Sequence, residues 1–365
     1  MPTQMTVKER WLAAVEMRPL DRLPFWPKLD RAYPPSQRPL FSEMAIDDIH
    51  RWIGSDRHIF VPSCVREVGR RCRREVDERD GERRITYHAP SGECEELARY
   101  DPVSCSWHPS KHPVETREDI RIMTAYYDDL DPEADLEAAE KARAALAAHG
   151  EDVVIGAGIG ESPLMRWVEW IAGVEKAHLL LADHKDDVEE LFRAMHRLLL
   201  REVEIAAQVC PADLLYLVEN TSTTLISPTQ YQAYCLGHIR EYGEAATAAG
   251  RRLALHMCGR LKALLPDVAG LPVAGFEAFT SPPIGDTTLI DGRTLCPDKC
   301  LIGGSNAALW MRPAGEIIEQ LERDLDALPH HRGIVVTSGG VMPPAAGPET
   351  IRDVCEWVKT FPARM

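Results

Sequence analysis

The chain has no uninterrupted apolar run near the ~18 residues that a membrane-spanning helix needs. Positive charge is the minority sign, with 42 Lys and Arg against 57 Asp and Glu and a net charge of −15. That balance lacks the clustered positive field on which general nucleic-acid or anionic-membrane binding depends. The first 22 residues hold no apolar segment followed by a small-residue cleavage site, so no signal peptide is expected there. Ten cysteines in 365 residues stand mostly singly, below the density of a disulfide scaffold. They read as small buried hydrophobes in a reducing compartment, and a cytoplasmic location is expected. There is no internal repeat, no low-complexity linker, no Gly-x-Ser-x-Gly elbow and no phosphate-binding loop. Gly156-x-Gly158-x-Gly160 follows a strand but lacks the spacing of a dinucleotide fingerprint.

What the chain does have is alternation. Residues 6–18 read as a first helix, with Val7, Trp11, Ala14 and Val15 near helical spacing. Leu23-Pro24-Phe25-Trp26-Pro27 is a short apolar run that suits a first barrel strand, and residues 58–62 suit a second. Residues 64–100 differ in character, with five arginines (66, 70, 71, 73 and 74) and Asp80-Gly81 between alternating segments, which predicts a β-hairpin insertion. Beyond Thr116 the pattern settles into helix and strand. Apolar strands are expected at 153–156, 214–218, 252–255, 273–276, 300–302 and 334–336. Between them, residues 186–209 place Val188, Leu191, Phe192, Met195, Leu198 and Leu199 on one helix face. Ser227-Pro228-Thr229-Gln230 opens another helix as a capping box. Eight apolar strands alternating with helices predict an α/β protein, a single (β/α)₈ barrel domain over residues 1–365 with an N-terminal helical extension and the hairpin insertion.

In such a barrel the chemistry lies at the C-terminal ends of the strands. The polar residues placed there are Lys28, Asp30, Glu161, Glu219, Asn220, His256, Cys258, Glu277, Asn306 and Ser338. His256-Met257-Cys258-Gly259 is the strongest metal candidate, since an imidazole and a thiolate two residues apart supply half of a tetrahedral zinc site. Spacing alone is weak: 13 His and 10 Cys give about 0.36 His-x-Cys pairs by chance. Its bland counterpart is a hydrogen-bonded histidine beside a buried cysteine. Glu277 ends the next strand and can either complete the ligand set or accept from the His256 ring. Glu219, on the other side, competes for the same role. Cys296 and Cys300 are a weaker pair, because Cys300 begins its strand and so lies at the opposite end of the barrel.

Several blocks together resemble the uroporphyrinogen decarboxylase superfamily, which also contains the zinc-dependent methylcobamide:thiol methyltransferases. They are Lys8-Glu9-Arg10 with Asp21-Arg22-Leu23-Pro24-Phe25-Trp26, the stretch Arg84-Ile85-Thr86-Tyr87-His88-Ala89-Pro90-Ser91-Gly92-Glu93, residues 113–119, Ile226-Ser227-Pro228-x-x-Tyr231, Leu255-His256-Met257-Cys258-Gly259, and Ser338-Gly339-Gly340 with Pro344 and Pro348-Glu349-Thr350-Ile351. They run along nearly the whole chain, and the resemblance also implies a (β/α)₈ barrel. The decarboxylase branch carries an arginine-rich segment after the first strand. Here that stretch is Pro27-Lys28-Leu29-Asp30-Arg31-Ala32-Tyr33, which does not match. The methyltransferase branch carries His-x-Cys after the fifth strand, as this chain does, and a further cysteine after the eighth, where this chain has Gly340.

The resemblance implies zinc held by His256, Cys258 and Glu277, and methyl transfer between a corrinoid (methylcobamide, on a carrier protein or as free cobalamin) and a thiol or tetrahydrofolate acceptor in a demethylation system. Glu219 is the expected acid or base, and Glu161, Asn220, Asn306 and Ser338 the expected substrate-pocket residues. Two other readings stay open at this level: a metal-free decarboxylase, and a non-catalytic barrel that binds a corrinoid protein.

Overall fold

The computed structural model describes residues 4–365. Seven strands, His58–Val61, Val154–Gly158, Leu214–Val218, Leu253–His256, Gly275–Phe279, Cys300–Gly303 and Ile334–Val336, lie side by side in chain order in one sheet. All are parallel neighbours. The segment around Phe25 closes the circle. Phe25 bridges Val336 in parallel, Trp26 N donates to the Val336 carbonyl at 2.9 Å, and Asp56 N donates to the Phe25 carbonyl at 2.8 Å. Pro24 and Pro27 flank this segment, and proline has no N–H for a ladder, so the eighth staves of the barrel stay this short. The fold is a (β/α)₈ barrel of the kind expected from the alternation of apolar runs.

Two apolar layers hold it. The lumen is filled by Trp26, Val154, Leu214, Tyr216, Ala254, Cys300, Ile302 and Val335, and Trp11 joins them from the N-terminal helix Val7–Val15. Trp11 meets Trp26 at 5.7 Å and His58 at 5.1 Å between ring centroids, so the helix stoppers the lower end of the barrel. A larger layer lies between strands and helices, including Leu191, Phe192, Leu198 and Leu199 of the helix Lys185–Val209. The expected capping devices form: Thr116 with Asp119 opens Arg117–Asp129, and Ser227 with Gln230 opens Pro228–Tyr234. Among the described residues, no helix is long and apolar enough to cross a membrane.

The opening Lys8-Glu9-Arg10 and Asp21-Arg22 blocks turn out to be scaffold. Arg10 donates to Asp21 at 2.7 Å and to Asp56 at 2.6 Å, and Arg22 donates to both Asp56 oxygens at 2.7 and 2.8 Å. Asp56 is wholly buried and also accepts from Phe25 N at 3.0 Å. One carboxylate thus fastens the extension, the closing segment and the start of the next strand.

The insertion is larger than a hairpin over 64–100. Arg73–Arg79, Glu82–Ala89, Gly92–Asp101 and Ser106–Lys111 form a four-stranded antiparallel sheet, and Val65–Gly69 pairs with Leu130–Ala134. The turn at Asp80-Gly81 is present, with both residues at positive φ. The fourth strand escapes sequence reading because Ser106-Trp107-His108-Pro109-Ser110-Lys111 carries a proline and no apolar alternation.

Candidate active site at the barrel mouth

The register places His256 opposite Val218 on one side and Glu277 on the other, so both polar side chains face the lumen at its upper end. A bulge follows at once: the pairing to the next strand shifts between Glu277 and Phe279, and Ala278 takes φ +61°. Bulges of this kind re-aim a side chain, here that of Glu277. Its carboxylate hydrogen-bonds His256 Nδ1 and accepts from Lys28 Nζ at 2.9 and 3.1 Å, one contact to each oxygen. Lys28 Nζ is also 3.4 Å from His256 Nδ1. Burial opposes ionisation of Glu277, yet the adjacent Lys28 and His256 charges hold its carboxyl down to about 2. Burial likewise works against a charged His256, but Glu277 and a hydrogen bond with Cys258 carry the imidazole up to about 9.

Cys258 is placed by the glycine after it. A Cβ on Gly259 would come within 2.1 Å of the Ser222 Cβ, so only glycine lets the two loops touch. There Gly259 N donates to the Thr221 carbonyl at 3.2 Å and Arg260 N to Ser222 Oγ at 3.1 Å. The contact brings the Cys258 thiol to 3.7 Å from the Asn220 amide oxygen. Asn220 adopts φ +45°, a conformation asparagine tolerates, and its Nδ2 donates to Glu169 at 2.9 Å.

Glu169 is the functional candidate that sequence reading missed. It lies in Trp167–Ile171, a π-helical turn following the helix Pro163–Arg166. Such turns recur at functional sites, because an extra residue per turn swings a side chain out of register. Nearby Glu161 accepts from Trp170 Nε1 at 3.0 Å. One buried oxygen on each of the two glutamates accepts no hydrogen bond. Burial, then the charge of Glu161, pushes Glu169 up to about 8, and burial raises Glu161 as well.

The other predicted side chains are engaged in contacts of their own. Glu219 is fully buried, and both its oxygens accept from Ser162, from N at 2.5 Å and from Oγ at 2.6 Å. Burial pushes it up to about 7. Asn306 spends its amide on Ser281 Oγ at 3.0 Å and the Pro282 carbonyl at 2.9 Å, tying two rim loops together. Ser338 is buried and donates to the Gly340 carbonyl. Below the mouth the floor is aromatic: His58 stacks on Trp26 at 4.7 Å and hydrogen-bonds Tyr216 Oη at 2.9 Å.

A zinc ion on His256, Cys258 and Glu277 needs each donor to be free to turn toward one point at about 2.0–2.3 Å. Glu277 is not free, because Lys28 and the His256 ring occupy its oxygens. A carboxylate on a histidine's Nδ1 is the arrangement of a group that orients a ligand rather than acts as one. Among the described residues no three His, Cys, Asp or Glu side chains are gathered as a metal ion requires. The residues as placed do not fit a three-ligand zinc centre.

A family model described as uroporphyrinogen decarboxylase (URO-D) matches residues 108–361, well over half of the chain. Among solved structures, a methyltransferase from Methanosarcina mazei matches with a TM-score of 0.61 and 15% identity, covering 99% of this chain and 100% of that one. A D-psicose 3-epimerase from Clostridium cellulolyticum H10 matches at a TM-score of 0.32 and 13% identity, over 60% of this chain and 80% of that one. No curated protein matches the sequence.

Proposed function

The chain belongs to the uroporphyrinogen decarboxylase family, and on that footing we propose that it is a methyltransferase exchanging a methyl group between a corrinoid and a thiol or folate acceptor. The reading takes its reaction class from the Methanosarcina mazei methyltransferase, which shares the fold over its whole length. The observation that carries it is the His256–Cys258 pair at the mouth, with Glu277 behind the imidazole and Asn220 beside the thiol. A decarboxylase of a polyanionic substrate is disfavoured by the same geometry. Glu161 and Glu169 line the mouth, and the ammonium of Lys28 is already paired to Glu277.

In the direction of thiol methylation, the acceptor sulfur forms its bond to the methyl carbon while the cobalt–carbon bond breaks and leaves its electron pair on cobalt. The thiol proton leaves to a mouth carboxylate or to water. Of the carboxyl groups here, Glu169 suits that task better than Glu219, since it keeps an unpartnered oxygen whereas both Glu219 oxygens accept from Ser162. Glu277 and Asn220 act by position, one fixing the ring of His256 and the other the thiol of Cys258.

The test is to mix the protein with methylcobalamin and a panel of thiols and tetrahydrofolate, following the corrinoid spectrum and the methylated product by mass. Turnover by the wild type that disappears in Cys258→Ala supports the reading. A folded wild type inert with every acceptor, or a Cys258→Ala variant as active as the wild type, defeats it.

A further inference from the structure

We infer that the cavity between the insertion and the barrel is a second ligand site, and that it takes a small molecule carrying both a carboxylate and an ammonium group, an amino acid being the simplest. The cavity measures about 720 Å³ and is lined by Glu67, Arg74, Tyr126, Gly160, Arg166 and Glu202 among others. Four elements bring the charged residues together. Val65–Gly69 and Arg73–Arg79 of the insertion supply Glu67 and Arg74, the short helix Pro163–Arg166 supplies Arg166, and the long helix Lys185–Val209 supplies Glu202. At its inner edge, a Cβ on Gly160 would meet Leu199 of that long helix at 3.2 Å. The cavity therefore belongs to the layer of outer helices and lies outside the lumen that holds His256 and Glu277.

What marks the cavity is charge without partners. Arg166 is half-buried, and its Nε donates to Tyr127 Oη at 3.0 Å. A neutral, buried phenol thus fixes the guanidinium plane, while Nη1 and Nη2 donate to no described residue. A confined guanidinium costs free energy until an anion meets it, and its flat fork matches the two oxygens of a carboxylate. Arg74 stands at the exposed lip of the same cavity. The opposite sign is present too. Glu202 is half-buried beside Glu67, and burial first, then the charge of Glu67, pushes it up to about 8. That is the behaviour of two neighbouring carboxyl groups without a cation between them, which an ammonium would supply. Among the described residues, none of these four side chains forms an ion pair. The arginines nearby in sequence do: Arg66 pairs with Glu133, Arg70 with Asp131, Arg71 with Asp129 and Arg73 with Glu75. The unpaired charges, two of each sign, are gathered around one space.

Binding here is measured with no methyl donor present, so the site stands or falls apart from the methyl-transfer reading. The protein is titrated calorimetrically with the common α-amino acids one at a time, and with acetate and methylamine as controls of single charge. At least one amino acid is expected to bind in one equivalent, with each control at least about tenfold weaker. Arg166→Met and Glu67→Gln are each expected to weaken that amino acid at least about tenfold. Cys258→Ala, which alters the mouth, is expected to leave its affinity unchanged. Failure of every amino acid to bind overturns the inference, and so does a control that binds as tightly. Equal affinity in the folded arginine variant overturns it too, as does loss of binding in folded Cys258→Ala, which puts the ligand in the mouth. Circular dichroism reports folding, and Arg74→Met replaces Arg166→Met if the latter fails to fold.

Discussion

Glu169 shows how one side chain can carry two demands. Its Oε2 fixes the amide of Asn220 while its other oxygen stays buried and without a partner. Burial and Glu161 hold its carboxyl near 8, above the ordinary carboxylate value, so the folded protein keeps a proton that the unfolded chain releases. With the folded pKa raised, stability from this group is complete below about pH 4.5 and is lost as pH rises toward about 8. Glu169→Gln removes that loss. Urea midpoints measured at pH 5 and pH 8 are expected to fall less for the variant than for the wild type. Glu161 and Glu219, raised by burial in the same way, keep part of the slope in both proteins. Asp56 makes the opposite kind of demand, a buried carboxylate held by two arginines. Asp56→Ala leaves Arg10 buried and short of a partner, and a loss of about 3–5 kcal/mol is expected in equilibrium denaturation.

At the scale of elements, the loop after the His256 strand is the most exacting. Gly259→Ala drives a methyl group into Ser222, and relief requires the two loops to part. A cost of about 1–3 kcal/mol is expected from thermal melting, with a larger proportional loss of any Cys258-dependent activity because the thiol moves off Asn220. Gly340 is the contrast: a Cβ there meets nothing within 4 Å, and its φ lies outside the left-handed region. Gly340→Cys is expected to change stability by no more than about 0.5 kcal/mol. Its thermal midpoint, compared with that of the wild type, checks this.

These elements also show where sequence reading reaches its limit. The barrel strands are legible because burial on both faces makes them continuous apolar runs, and the helix starts are legible because capping boxes are local. His256 and Cys258 are legible because they are neighbours in sequence. Glu277 is legible as the end of the next strand, whereas its pairing with Lys28 spans 249 positions and leaves no local trace. Glu169 reads as one more helical position, because a single π turn is invisible to a 3.6-residue period. Glu219 reads as a mouth residue by its position after a strand, while the acceptance of both Ser162 donors by its carboxylate spans 57 positions and leaves no local trace.

At the scale of the whole molecule, the family match begins at residue 108 and so passes over most of the four-stranded insertion and the whole N-terminal extension. The extension is nonetheless structural, since Trp11 is wholly buried among the lumen residues. Trp11→Ala is expected to cost about 3–5 kcal/mol in denaturant unfolding, as for other fully buried aromatic side chains. That same stopper makes the barrel a well with one opening. Below Lys28 the aromatic floor of Trp26, His58 and Tyr216 is sealed by the helix, so nothing enters or leaves from beneath. Under the proposed methyl transfer, two reactants meeting over Cys258 therefore queue at a single door. The smaller must already be seated when the bulkier arrives, and the bulkier must depart before the product can, which is the kinetic signature of a compulsory order.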